Sequence, residues 1–126
     1  MAQVLTALNL ATLTDLMGDI PLSEALQPGV VYQPKLDSHY SIYQNIFSLL
    51  DDAIANLKSD DLATLTPVGH QDLIYGQYDT DRQAELWIKA AYGLKARYTL
   101  RLSYREPRYD RVIDYADSAF VDAGEQ

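Results

Sequence analysis

The chemistry open to this 126-residue chain is set by its reactive side chains: two histidines, eighteen carboxylates, ten tyrosines and no cysteine. Without cysteine there are no disulfides, thiolate zinc sites, iron–sulfur clusters or cysteine nucleophiles. His39 and His70 stand 31 positions apart with no carboxylate at ligand spacing, so a histidine metal site is not expected and both read as surface residues. The six glycines form no Gly-x-Gly pair and none precedes a Lys-Ser or Lys-Thr pair, which removes the nucleotide-binding fingerprints. No Gly-x-Ser-x-Gly elbow and no Ser-x-x-Lys pair occurs either. Asp79-x-Asp81 resembles the opening of a calcium loop, but its sixth position is Ala84 where glycine is required and its twelfth is Ala90 where glutamate is required. Asp51–Asp52 and Asp60–Asp61 are adjacent pairs. Neighbours on a helix point about 100° apart, so these pairs read as solvated faces, not as paired catalytic carboxylates. No catalytic residue, metal or cofactor is expected.

Two further groups could bind without catalysing. Arg97, Arg101 and Arg105 recur at i, i+4, i+8, with Lys89 and Lys95 on the same stretch. A phosphate-binding row has to be free of acids, and Glu106, Asp110 and Asp114 follow closely enough to pair with it. Ion pairs between helices are therefore the expected role. Tyrosine supplies ten of the thirteen aromatic residues. Tyr43, Tyr98 and Tyr109 fall on apolar stripes and read as core. Tyr32, Tyr75 and Tyr78 fall in loops, where they are the weak candidates for stacking on a ligand and where loop packing is the simpler reading.

The elements that must position these groups read as helices. From Ala2 to Met17 the apolar residues Val4, Leu5, Leu8, Leu10, Ala11, Leu13 and Leu16 lie nearly all round the turn, a pattern that belongs to a helix with neighbours on every side. No N-cap residue precedes it, and Gly18 stands at the helix-ending position that glycine favours. A second helix of about twenty residues starts at Asp37 or Ser38 and carries Tyr43, Ile46, Phe47, Leu50, Ile54 and Leu57 on one face. A third starts after Asp79, with Thr80 and Gln83 at capping-box spacing, and shows Trp87, Ala90, Ala91, Leu94, Tyr98 and Leu102. Pro107 breaks it and suits the first turn of a fourth helix, whose face is Tyr109, Val112, Ile113, Ala116 and Phe120 and which runs to Gly124. No strand alternation of useful length appears. The class is all-α: two helix-turn-helix pairs, tetratricopeptide-like in the Ala116-x₃-Phe120 spacing, with long connections over 19–37 and 59–79.

A net charge of −8 disfavours nucleic acid. It is unevenly spread, with −9 in residues 1–81 and +1 in residues 82–126. The 14-residue uncharged run from Met1 to Thr14 is shorter than the ~20 apolar residues a membrane span takes, and no basic residue precedes it as a signal peptide would require.

The stretch Gly18-Asp19-Ile20-Pro21-Leu22-Ser23-Glu24-Ala25, following an apolar helix, resembles the Gly-Asp-Val-Pro-Tyr-Ser-Glu-Ala turn of the SusD-like (RagB/SusD) outer-membrane lipoproteins. Later elements agree in order: Pro34-Lys35-Leu36-Asp37-Ser38, Ile42-Tyr43 with Leu50-Asp51-x-Ala53, Asp72-Leu73-Ile74-Tyr75-Gly76, and Trp87-Ile88-Lys89-Ala90-Ala91 followed by Leu94-Lys95-Ala96-Arg97 and Leu100-Arg101. Two places depart from the pattern. Gly76-Gln77-Tyr78-Asp79 stands where the family has Gly-Asp, and Tyr92-Gly93 where it has Asn-Ser. The resemblance implies a non-catalytic helical-repeat part of a glycan- or nutrient-binding protein at the outer membrane or cell surface. Its implied partners are a SusC-like TonB-dependent transporter and, in the intact protein, the glycan. It brings no ligand residue with it, because the family's glycan-stacking aromatics lie largely in other regions.

Residues 1–126 are thus expected to be a single helical domain, a fragment of a larger SusD-like protein, carrying neither signal peptide nor lipidation cysteine. On that reading Val4, Leu8 and Ala11 are partly exposed or covered by a neighbouring copy, and self-association would run through the uncapped first helix. The other reading is a free-standing helical adaptor that binds a protein partner in its groove.

Overall fold

The computed structural model describes residues 1–59 and 69–120; the Asp60–Asp61 pair and the expected stop at Gly124 lie outside them. Four helices follow one another: α1 (Ala2–Met17), α2 (His39–Lys58), α3 (Thr80–Arg101) and α4 (Tyr109–Ala119). They form the two expected pairs, α1 on α2 and α3 on α4, joined where α2 packs on α3. Apart from the helices, the described residues hold one 3₁₀ turn at Gly69–Gln71 and one isolated bridge between Ile20 and Asp37.

The centre of the core is α2. Ile42, Tyr43, Ile46, Leu50 and Ala53 are wholly or almost wholly buried, and each large aliphatic side chain so buried contributes roughly 1.5–3 kcal/mol. Val4, Ala7 and Ala11 meet this face from α1, and Trp87, Ala91 and Tyr98 from α3. Small alanines at positions 7, 11, 53 and 91 let the helix axes approach closely. Val4 and Ala11, each 2% exposed, are therefore covered within the chain and not by a copy, which corrects the expectation for α1. Leu8 is half-buried. The bare side of α1 is its C-terminal end, at Leu13, Leu16 and Met17.

Asp15 ties the first three helices together. It accepts the Tyr43 hydroxyl at 2.8 Å, pairs with Arg101 of α3 at 3.1 Å and lies 3.5 Å from His39 Nε2. Arg101 of the basic row thus pairs back to α1, and Glu106, named with Asp110 and Asp114 as a partner for the row, pairs with Arg108. Burial and the adjacent Asp15 carboxylate push the Tyr43 phenol well above its ordinary value. His39 is only half surface, its ring 4.9 Å from that of Tyr43.

The first long connection is closed by its own carboxylates. Gly18 takes φ +79°, a left-handed turn that suits glycine. Asp19 then accepts the backbone N–H of His39 at 2.8 Å, satisfying one of the donors that α2 leaves free at its start. Asp37 accepts Leu22 N–H, Ser23 N–H and the Ser23 hydroxyl at 2.7–2.9 Å, while its own N–H donates to Ile20 C=O at 3.0 Å. Glu24 accepts Lys35 N–H at 3.0 Å. Ser38, not Asp37, is the N-cap of α2, accepting Ser41 N–H. Beyond this latch the loop tip is bare at Leu26, Val30, Tyr32 and Leu36.

Two expectations for the second pair change. Asp79, not Thr80, caps α3 by accepting Arg82 N–H; a carboxylate is a stronger acceptor than a hydroxyl at a helix start, and the Gln83 amide donates instead to the Tyr78 and Gly69 carbonyls. On α4 only Ala119 is fully buried, and Tyr109, Ile113 and Phe120 are more than half exposed. Lys95 of the basic row is buried, at 6% exposure.

Candidate functional site

The Asp72-Leu73-Ile74-Tyr75-Gly76 segment forms a turn after Gln71 and presses onto α3. Its Asp72 carboxylate is 6% exposed and accepts three donors: Trp87 Nε1–H at 2.6 Å, Ile74 N–H at 2.9 Å and Tyr75 N–H at 3.1 Å. Burial raises the pKa of Asp72, and the three donors outweigh it, so the carboxyl sits below its usual range. The Tyr75 ring stands edge-on to Trp87, centroids 5.2 Å apart and planes at 82°, the arrangement aromatic quadrupoles favour. Burial and the Asp72 charge push the Tyr75 phenol up. Gly76 closes the turn, donating to Asp72 C=O at 2.8 Å. A Cβ there would lie 2.3 Å from that same oxygen, so the final glycine of the motif is a steric requirement.

This turn forms one wall of a groove of about 760 Å³. The opposite wall is Val4, Leu5 and Leu8 of α1, the floor is Trp87, Ala90 and Leu94 of α3, and Ala119 and Phe120 stand at one end. Tyr75 and Tyr78 both line it; Tyr32, on the bare tip of the first loop, does not. Their availability differs. Tyr75 is half-buried with its ring engaged by Trp87, while Tyr78 is 42% exposed, its backbone held by Gln83 and Tyr75. The groove is apolar with a few polar groups at its edge, a surface suited to binding. His70 donates Nδ1–H to Gly76 C=O at 2.9 Å, bracing the turn, and is not among the residues lining the groove. Among the described residues no cluster of three His, Asp or Glu side chains could hold a metal, and no helix is long and apolar enough to cross a membrane.

A second, smaller cleft of about 210 Å³ opens between α2, α3 and α4. Lys95 Nζ lies inside it against Asp51 of α2, 4.3 Å from the ring centre of Tyr115 and 5.9 Å from that of Tyr92. Tyr40 donates its hydroxyl to Glu106, whose other oxygen pairs with Arg108 at 3.0 Å. Sequence reasoning expected ion pairs between helices for the basic stretch, and Lys95–Asp51 is one; Asp51 is largely exposed, as expected, but it was not foreseen as the partner, nor was the burial of Lys95. The signal for their pairing was Tyr92, three residues before Lys95, because a tyrosine there gives a buried ammonium a ring face to sit over.

Two pairs of antiparallel helices bordering an apolar groove define an all-α fold. Comparison with known proteins gives the family: the chain matches SusD-like proteins, described as "Starch-binding associating with outer membrane", over residues 1–121, and it belongs to that family. A solved SusD/RagB family protein from Bacteroides thetaiotaomicron is similar at 41% identity and a TM-score of 0.80, over 99% of this chain. The chain spans 25% of the length of that protein. None of the curated proteins compared with it matches.

Proposed function

We propose that this chain is the helical-repeat scaffold of a nutrient-binding, outer-membrane-associated protein that hands glycans or related nutrients to a TonB-dependent, SusC-like transporter, and that it performs no catalysis itself. The supporting observation is the similarity to a SusD/RagB protein at 41% identity over 99% of the chain. A quarter of that relative's length corresponds to the present residues, which supports reading them as one part of a longer polypeptide. In this reading the carboxylate latches at Asp37 and Asp72 hold loops in fixed positions on the helices. Tyr78 and Tyr32 are the proposed stacking residues, having exposed rings, and Tyr75 serves to brace the groove.

The test is affinity purification of the intact parent protein from solubilised outer membranes of its native host. Co-purification of a TonB-dependent transporter, with retention of the parent on an affinity gel of host-consumed glycan, is the expected result. Recovery of the protein in the soluble fraction with a cytoplasmic partner and no transporter would replace this reading with that of a free-standing adaptor.

A further inference from the structure

We infer that Gln83 is the positioning residue for Tyr78, directing its ring into the groove by holding the peptide behind it; this rests on the reading of Tyr78 as a stacking residue. The Tyr78 side chain has no hold of its own. Among the described residues its hydroxyl makes no hydrogen bond and no ring packs against it, yet it lines the groove with 42% of the residue exposed. Its direction is therefore set by its backbone. Two bonds fix that backbone: Tyr78 N–H donates to Tyr75 C=O at 3.0 Å, and Tyr78 C=O accepts the Gln83 amide at 2.7 Å.

Gln83 is the fourth residue of α3 and only 6% exposed, an unusual place for an uncharged polar side chain that most often faces water. A buried side-chain amide has two N–H donors to satisfy. Its nitrogen meets carbonyls at the two ends of one segment, Tyr78 at 2.7 Å and Gly69 at 3.3 Å. Trp87, one turn further along the same face of α3, holds the middle of that segment through Asp72. The two side chains thus divide the work: Trp87 fastens the turn to the helix, while Gln83 closes its ends and sets the Tyr78 peptide. Asp79, by accepting Arg82 N–H, fixes where α3 begins and leaves the Tyr78 carbonyl to Gln83. A ring held in place before a ligand arrives loses less freedom on stacking.

The chain labelled with 3-fluorotyrosine tests this by fluorine NMR, with Tyr78→Phe identifying the Tyr78 signal. The sequence has a single tryptophan, so one indole N–H signal reports the Trp87–Asp72 bond. Gln83→Met keeps the side-chain length and removes both donors. Gln83→Glu also removes them, adds a charge that the start of a helix favours, and serves if the first variant fails to fold. The expected result is a shifted Tyr78 fluorine signal with the Trp87 indole signal unmoved. A Tyr78 signal that stays in place would overturn the inference, as would an indole signal that moves with it, because Gln83 would then support the whole turn. On the glycan gel, the intact parent carrying Gln83→Glu is expected to bind about two- to tenfold more weakly. Weakening by Tyr78→Ala but not by Gln83→Glu would overturn the inference and leave the proposed function standing. Retention untouched by Tyr78→Ala would instead overturn the assignment of Tyr78 as a stacking residue, and the inference with it.

Discussion

The indole N–H of Trp87 donates to the Asp72 carboxylate at 2.6 Å, and this bond fastens a loop to α3 across fifteen positions of sequence. Trp87 is 5% exposed and Asp72 6%, so both partners lie away from water, where an unmatched polar group is costly. Trp87→Phe keeps a ring for Tyr75 to meet edge-on but deletes the donor. The expected loss is about 1–3 kcal/mol, read as a lower denaturant midpoint with an unchanged slope. A midpoint equal to that of the unmodified chain would show that the bond contributes nothing to stability.

The same carboxylate makes stability depend on pH. Its folded pKa lies below the unfolded value of about 3.9, because the three donors favour the charged form against the effect of burial. The contribution is therefore fully present above the unfolded value and is lost as pH falls through the folded one. Asp72→Asn is expected to lower stability at neutral pH and to flatten the acid limb of a stability–pH curve measured by urea unfolding. An acid limb unchanged in Asp72→Asn would place the acid sensitivity elsewhere, for example at Asp37, whose pKa is also lowered by its Ser23 and Leu22 backbone donors.

Gly76 tests the steric side of the same turn. A methyl group there meets a backbone carbonyl, not the flexible end of a side chain, so the turn has to open to accommodate it. Gly76→Ala is expected to cost about 1–3 kcal/mol and to speed amide exchange at Tyr75 and Gly76 relative to α2. Gly93→Ala is the control: its added Cβ would lie at an ordinary 3.8 Å from Ala119, and replacing glycine inside a helix favours folding by roughly 0.5–1 kcal/mol. Equal effects at the two positions would contradict this assignment.

Much of the helical frame is legible in the sequence because apolar spacing is a local signal. The twenty-residue length of α2 and its buried Tyr43, Ile46, Leu50 and Ile54 follow from the 3.6-residue period alone. The departures arise where a residue's role depends on a distant partner. Nothing near α4 in sequence reveals that Tyr109 and Ile113 of its stripe stay exposed, since an amphipathic helix looks the same whether or not a neighbour covers all of its face. Asp15, which no motif or spacing singles out in the sequence, joins α1, α2 and α3 through Tyr43, His39 and Arg101. At the groove, Tyr75 and Tyr78 look equivalent in sequence and differ because Trp87, nine to twelve positions later, engages only Tyr75.

Lys95 and Asp51 form an unequal pair, and the inequality sets the direction of the last prediction. The Lys95 side chain is 8% exposed and that of Asp51 61% exposed. Removing the lysine charge by Lys95→Met returns Asp51 to water and leaves an apolar side chain of similar length beneath Tyr115, so stability is expected to hold within about 1 kcal/mol or rise. Asp51→Asn instead strands a buried ammonium with only the Tyr115 and Tyr92 ring faces for compensation. Its expected cost is larger, about 1–3 kcal/mol, below the value for a fully buried pair because one partner is solvated. Combining the two substitutions should recover most of the loss, since the stranded charge is then absent. Thermal and urea unfolding of the four proteins of this cycle would measure the coupling. A larger penalty for Lys95→Met than for Asp51→Asn would mean that the carboxylate, not the ammonium, carries the desolvation cost.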